Sequence, residues 1–247
     1  MNSILITGCN RGLGLGLVKA LVKLPKPPQH LFATCRNKDQ AKDLLNLAAQ
    51  NSNIHVMEID LRNYDSHDNL VKQIDDITGG YGLNLLFNNA GISPKSTRIN
   101  MTKAEDIMNT LETNTVVPIM LAKACLPLLK KASKSQESLD LCVQRAAVIN
   151  MSSMLGSIEM NETGGLYAYR TSKAALNAAT KSLSIDLLPH NILCVALHPG
   201  WVRTEMGGKN APLEVDPTTA EIIDTIMKFK AKHNGGFYQY NGDKLPW

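Results

Sequence analysis

The chain alternates short apolar runs with longer stretches of helical period. The strand-like runs are Ser3–Thr7, His30–Cys35, Ile54–Glu58, Leu83–Asn88, Ala146–Met151, Leu193–Leu197 and Phe237–Tyr240. Helical patterns fill the gaps at Gly14–Leu24, Asp39–Ala49, Tyr64–Thr78, Thr102–Lys131, Tyr167–Leu188 and Pro217–Lys232. Apolar strands without charges are those buried on both faces, and strand–helix alternation implies crossovers between parallel neighbours. The pattern therefore predicts an α/β fold, doubly wound, with about seven parallel strands and helices on both faces. Thr102-Lys103-Ala104-Glu105 has the form of a capping box, and Asp216-Pro217 that of a capping carboxylate before a proline at the first helical position. Ser133–Asp140 reads as a surface loop, and the polar stretch Gly156–Gly165 interrupts the pattern before the fifth helix. No repeat or linker divides the chain, so residues 1–247 are expected to form a single domain.

Composition narrows the class without naming a function. Hydrophobic residues are 44% and charged residues 19% of the 247 positions, which suits a globular protein and excludes a disordered or fibrous one. The net charge of +4 is spread along the chain without a Lys/Arg block, so neither nucleic acid nor a membrane surface is expected as partner. No apolar stretch approaches the ~18 residues of a membrane span. Five cysteines without a CxxC pair fit reduced thiols. The first strand begins at Ser3, which leaves no room for a secretory leader, and Leu245-Pro246-Trp247 is neither a peroxisomal nor an ER-retention signal. A cytoplasmic location is expected. The six histidines show no ligand spacing, and no metal is expected.

Chemistry concentrates at strand ends. The first strand runs into Thr7-Gly8-Cys9-Asn10-Arg11-Gly12-Leu13-Gly14 and then a helix, a Rossmann-type turn in which backbone N–H groups can approach a pyrophosphate. Such a turn is also compatible with simple packing, and its spacing is not that of the GxxxxGK[ST] loop. The fourth strand ends in Asn88-Asn89-Ala90-Gly91, a small-residue turn that suits close ligand approach or an ordinary strand end. Tyr169 and Lys173 lie four apart on one helix face, where a cation lowers a phenol's pKa for proton transfer. Composition alone yields about half such a pair per chain, so by itself it decides nothing.

The conjunction is informative. Thr7–Gly14, Asn88–Gly91, Asn114, Ser152-Ser153, Tyr169/Lys173 and Pro199-Gly200 stand in the order found in the short-chain dehydrogenase/reductase family, and the resemblance spans essentially the whole chain. Residues 150–157, His198-Pro199-Gly200-Trp201-Val202 and Lys244-Leu245-Pro246-Trp247 resemble most closely the sniffer-like and C-factor-like carbonyl reductases. The resemblance implies an NADP(H)-dependent reductase acting on a small-molecule aldehyde, ketone or quinone-like carbonyl. Tyr169 would be the acid/base, Lys173 its pKa-lowering partner and ribose ligand, Ser153 the carbonyl-polarising hydroxyl, and Asn114 the support of a proton relay. Gly8, Asn10, Arg11, Gly12, Leu13 and Gly14 would surround the diphosphate and adenosine. Asp60 and Leu61 would meet the adenine, and Asn88, Ala90 and Gly91 would form the cofactor floor. Pro199, Gly200, Val202 and Thr204 would hold the carboxamide and diphosphate. Family members often pair through the helices at Thr102–Lys131 and Tyr167–Leu188, which implies a homodimer.

Alternatives stand beside several of these assignments. Ser152 competes with Ser153, and strand alternation lets only one face the site. Asn114 equally suits a helix residue bonded to backbone, Asp60 a cap for the following segment, and Tyr167 a packing position. For cofactor choice, family members preferring NAD usually carry Asp where Cys35 stands. Here Arg36 follows, able to fork onto a 2′-phosphate, with Arg11 as a second cation, unless both are solvated surface groups. Met154, Leu155, Trp201 and Met206, which follow the catalytic elements and are apolar, are candidate pocket residues or ordinary core, and loops around Ser93–Asn100, Gly156–Gly165 and Met206–Leu213 are expected to build the pocket. The sixteen-residue step from Ser153 to Tyr169 is longer than usual in the family, with 161–165 as the extra length, forming a rim or a lid. Two rival functions use the same framework: an oxidative alcohol dehydrogenase, and a cofactor-sensing interaction protein with little turnover.

Overall fold

Four strands are buried at every position, as strands covered on both faces must be: β1 (Ser3–Ile6), β4 (Leu85–Asn88), β5 (Ala147–Met151) and β6 (Leu193–His198). The computed structural model describes residues 1–94 and 98–247. With β2 (His30–Cys35), β3 (Ile54–Glu58) and β7 (Phe237–Gln239), these strands form one seven-stranded parallel sheet in the order β3-β2-β1-β4-β5-β6-β7. The order reverses between β1 and β4, so the loops leaving these neighbours diverge and open a crevice at their C-terminal ends.

Alternate strand residues feed two cores. Ile4, Ile6, Leu85, Phe87 and Ile149 pack with α1 (Gly12–Val22), α2 (Lys42–Gln50) and α7 (Val215–Met227) on one face. Leu5, Phe32, Leu86 and Val148 pack on the other with α3 (His67–Thr78) and α5 (Val117–Ser135). The same face carries α6 (Tyr167–Asp186), which joins the sheet largely through polar bonds.

Several local expectations are corrected. The single helix expected over Thr102–Lys131 is α4 (Ala104–Leu111) and α5 joined by one wide π turn at Glu112–Val116. The capping box does not form: Lys103 is the extended N-cap, and the Thr102 hydroxyl donates to the Arg98 carbonyl instead (3.0 Å). α7 begins at Val215 with Glu214 as N-cap, so Asp216 sits in its first turn and Pro217 at the third position, where no intrahelical N–H bond is lost. Ser133, expected in a surface loop, is buried inside α5 and donates to the His190 carbonyl (2.8 Å). Among the described residues, no helix is long and apolar enough to cross a membrane.

Candidate active site

The crevice floor is two turns stitched together by one hydroxyl. Thr7 Oγ1 accepts from the backbone N–H of both Asn89 and Ala90 (2.9 Å each), and Asn89 Nδ2 donates to the Thr7 carbonyl (2.8 Å). Gly8 has φ +70°, and a Cβ on Gly14 would overlap the Gly8 carbonyl oxygen, so the turn closes more tightly than side chains allow. Gly12 and Leu13 open α1, whose N-cap Arg11 offers no side-chain hydrogen bond. The first-turn N–H groups of α1 thus lack a side-chain acceptor, a cradle that fits a diphosphate. Asn10 is half-buried beside it.

Other expected cofactor residues differ in what they can offer. Asn88 points inward, donating to Asn150 Oδ1 (2.8 Å), so it braces the floor from below; Ala90 and Gly91 lie above. Asp60 is exposed and accepts from Arg62 N–H (3.0 Å), the capping alternative, while the Leu61 side chain is buried in the core and leaves only backbone for a ligand. Arg11 pairs with Glu205 (2.8 Å), whereas Arg36 is exposed and has no ion-pair partner among the described residues. Lys38, absent from the sequence expectations, lies near enough to Cys35 to pull its thiol pKa down against burial and Glu58, which raise it. Pro199 and Gly200 follow β6, Val202 is buried, and Thr204 Oγ1 accepts from Gly207 N–H (3.0 Å).

The side chains expected to carry the chemistry meet where β5 ends against α6. Ser152 is committed to structure, donating to Asn177 Oδ1 (2.5 Å). Ser153 accepts from Leu155 N–H (3.1 Å) and faces the Tyr169 phenol, whose pKa it draws down. Burial dominates, and the phenol stands above its ordinary value. Lys173 Nζ donates to the Met151 carbonyl (2.8 Å) and lies 5.7 Å from the Tyr169 ring centre. Burial pushes this ammonium down to about 8. Burial and the Ser153 hydroxyl are the causes of the phenol's shift, while the Lys173 ammonium is held on the Met151 carbonyl. Asn114 sits in the wide turn between α4 and α5. Its Oδ1 accepts from Ile92 N–H (2.8 Å), and its Nδ2 donates to the Ile92 carbonyl (2.9 Å) and Ser172 Oγ (3.0 Å). The amide pins the segment after Gly91 to the helix bearing Tyr169.

Around the opening, Met154, Trp201 and Met206 are exposed and Leu155 is half-buried. Lys95, Ser96 and Thr97 of the expected Ser93–Asn100 pocket loop lie outside the described residues. Thr7 and Asn89 stand in the two strand-end motifs without these bonds being foreseen, and Asn177 stands in none, because strand and helix periodicity does not register tertiary bonds. Among the described residues, no cluster of three potential metal ligands occurs.

A short chain dehydrogenase profile matches residues 2–214. The carbonyl reductase Sniffer of D. melanogaster is 66% identical over 100% of both chains, with a TM-score of 0.99. An NADPH-bound carbonyl reductase from chicken fatty liver is 38% identical over 100% of this chain and 99% of its own, at a TM-score of 0.93. The C-signal protein of Myxococcus xanthus is 35% identical over 67% of this chain and 93% of its own length. The chain belongs to the short-chain dehydrogenase family.

Proposed function

We propose that this protein is an NADPH-dependent carbonyl reductase acting on an aldehyde, ketone or quinone-like small molecule. The observation that carries the reading is the meeting of Ser153, Tyr169 and Lys173 beside a glycine cradle open to a diphosphate. Relatives described as carbonyl reductases, one of them NADPH-bound, support the same choice of substrate class and cofactor. Gly8, Gly12, Leu13 and Gly14 would hold the diphosphate, Arg36 and Lys38 the 2′-phosphate, and Lys173 the nicotinamide ribose. The dinucleotide, when bound, supplies the hydride for the carbonyl carbon.

The chain's own groups handle the oxygen. A phenol whose pKa is raised by burial stays protonated at neutral pH, the form required to donate a proton as charge develops on the carbonyl oxygen. The Ser153 hydroxyl, adjacent to that phenol, donates to the same oxygen. Lys173, with a pKa near 8, is mostly protonated at neutral pH and supplies positive charge as the phenol loses its proton. Asn114 acts by holding Ile92 and Ser172, which fixes α6 against the cofactor floor. The oxidative alternative uses the same residues, and cofactor preference together with the ratio of reduced to oxidised cofactor separates the two. A homodimer is the assembly this reading carries, with Met108, Val116 and Ile185 as exposed apolar residues of the helical face.

The test is NADPH oxidation, followed by absorbance, against a panel of aldehydes, dicarbonyls and quinones with wild type and Tyr169→Phe. Turnover by wild type, with loss of ~10²-fold or more in the variant and NADPH binding retained, supports the assignment. Turnover within a few-fold in both would refute the role of Tyr169.

A further inference from the structure

Arg170 follows Tyr169 and is 9% exposed, yet no carboxylate among the described residues pairs with it. A buried guanidinium must place its donors somewhere, since leaving them unmet is costly. All three nitrogens turn to the stretch between Ser153 and α6, two of them to its extra length at 161–165. Nε donates to the Gly164 carbonyl (3.2 Å), Nη2 to Thr163 Oγ1 (2.8 Å) and Nη1 to the Leu155 carbonyl (3.4 Å). The bonds span both ends of the segment, from just after Ser153 to just before α6.

The segment needs holding. Gly164 (φ +62°), Gly165 (φ +68°) and Leu166 (φ +49°) are consecutive left-handed residues, and a leucine there is strained. Its middle is gripped from another direction. The Trp247 carbonyl accepts from Ser157 Oγ (3.0 Å) and Glu159 N–H (3.1 Å), and the Trp247 ring stacks on Phe237 of β7 at 5.5 Å and 16°. Ile158, at 80% exposure, and Met160 project from the part held in this way.

We propose that Arg170 is a positioning residue that fixes 155–166 as a rigid wall of the substrate opening, with Trp247 as second anchor, and so sets how large a carbonyl compound enters. The inference rests on the carbonyl-reductase reading for its substrate arm only. The bland alternative, that Arg170 merely stabilises the fold, predicts lower thermal stability with unchanged discrimination.

Two measurements on wild type, Arg170→Gln, Arg170→Lys and Trp247→Ala separate these. The first is cleavage by a glutamate-specific protease, for which Glu159 and Glu162 are exposed targets on the wall. The second is the ratio of kcat/KM for decanal to that for propanal. Arg170→Gln and Trp247→Ala should be cut at the wall at least ~10-fold faster than wild type while the rest of the chain stays resistant, and Arg170→Lys should fall between. The size ratio should shift about tenfold in the same two variants, the range a reshaped apolar pocket commands. Unchanged wall cleavage in both variants overturns the proposal, as does faster cleavage with an unchanged size ratio. Should the wild type reduce no aldehyde, the carbonyl-reductase reading fails for this substrate class, while the cleavage arm still decides whether Arg170 holds the wall.

Discussion

The two ends of the crevice hold positive charge in opposite ways. At the reactive end, Lys173 is buried among protein atoms and its pKa is forced down to about 8. At the nucleotide end, Arg36 stands in solvent and Arg11 is paired with an equally exposed Glu205. The contrast follows from the proposed tasks. Proton transfer gains from low dielectric and fixed geometry, whereas a terminal phosphate needs only an accessible cation. One end is expensive to fold and insensitive to salt; the other is cheap and screened.

Lys173→Met breaks the comparison most strongly. It removes the buried charge at similar volume, and turnover should fall by roughly 10³-fold. Stability should move the other way. A lysine with a folded pKa near 8 against about 10.5 unfolded carries its full penalty at and below pH 8, at most about 3 kcal/mol. Losing the bond to the Met151 carbonyl returns about 1 kcal/mol of that. A net gain of about 1–2 kcal/mol should raise Tm by a few degrees at neutral pH. The sign also fixes a pH window. Between pH 8 and 10.5 the unfolded chain binds the proton that the folded chain has released, so wild-type stability rises with pH there and the gap to the variant closes. A gap that widens would mean that Lys173 gains a partner on folding.

The next effect tests which of two neighbouring hydroxyls serves the reactive end. Ser153→Ala should lower kcat by about 10²-fold. Ser152→Ala should act through the fold, because its hydroxyl is spent on Asn177, and should cost about 1 kcal/mol of stability with a smaller loss of rate. Thermal melts and steady-state kinetics on the two variants decide it. The reverse order of rates would assign the role to Ser152.

How much of this was legible depended on whether the information was local. The seven strands and the doubly wound class followed from apolar runs separated by helical spacing, and Tyr169/Lys173 stood out through the conjunction of motifs, their helical offset alone deciding nothing. The wide turn at Glu112–Val116 was invisible, because one extra residue in a turn hardly disturbs an apolar period over Thr102–Lys131. The Thr102 capping box failed because a threonine hydroxyl is equally satisfied by the Arg98 carbonyl behind it. The clasp on the wall was the least legible. Arg170 and Ser157 reach backbone carbonyls, and a carbonyl carries no residue identity to match. Asn114 lay between these cases: its motif marked it, but only the fold revealed that its amide is bonded to Ile92 and Ser172.

The smallest expected effect probes the exposed end. Arg36→Ala should raise the KM for NADPH by about tenfold, the worth of one solvent-facing charge-assisted contact, and leave that for NADH nearly unchanged. Lys38, close to Cys35 on the same edge, should retain part of the preference, so Arg36→Ala with Lys38→Ala should lose more than either alone. Salt distinguishes this end from the other. The KM for NADPH should climb with ionic strength in the wild type and climb less in Arg36→Ala, because an exposed ion pair is screened over a Debye length of about 8–10 Å. The kcat, set where Lys173 is buried, should stay nearly constant over the same salt range. Measuring kcat and KM with both cofactors at low and high salt decides the matter: a kcat that falls with salt while KM stays flat would place the screened charge at the reactive end and invert the comparison.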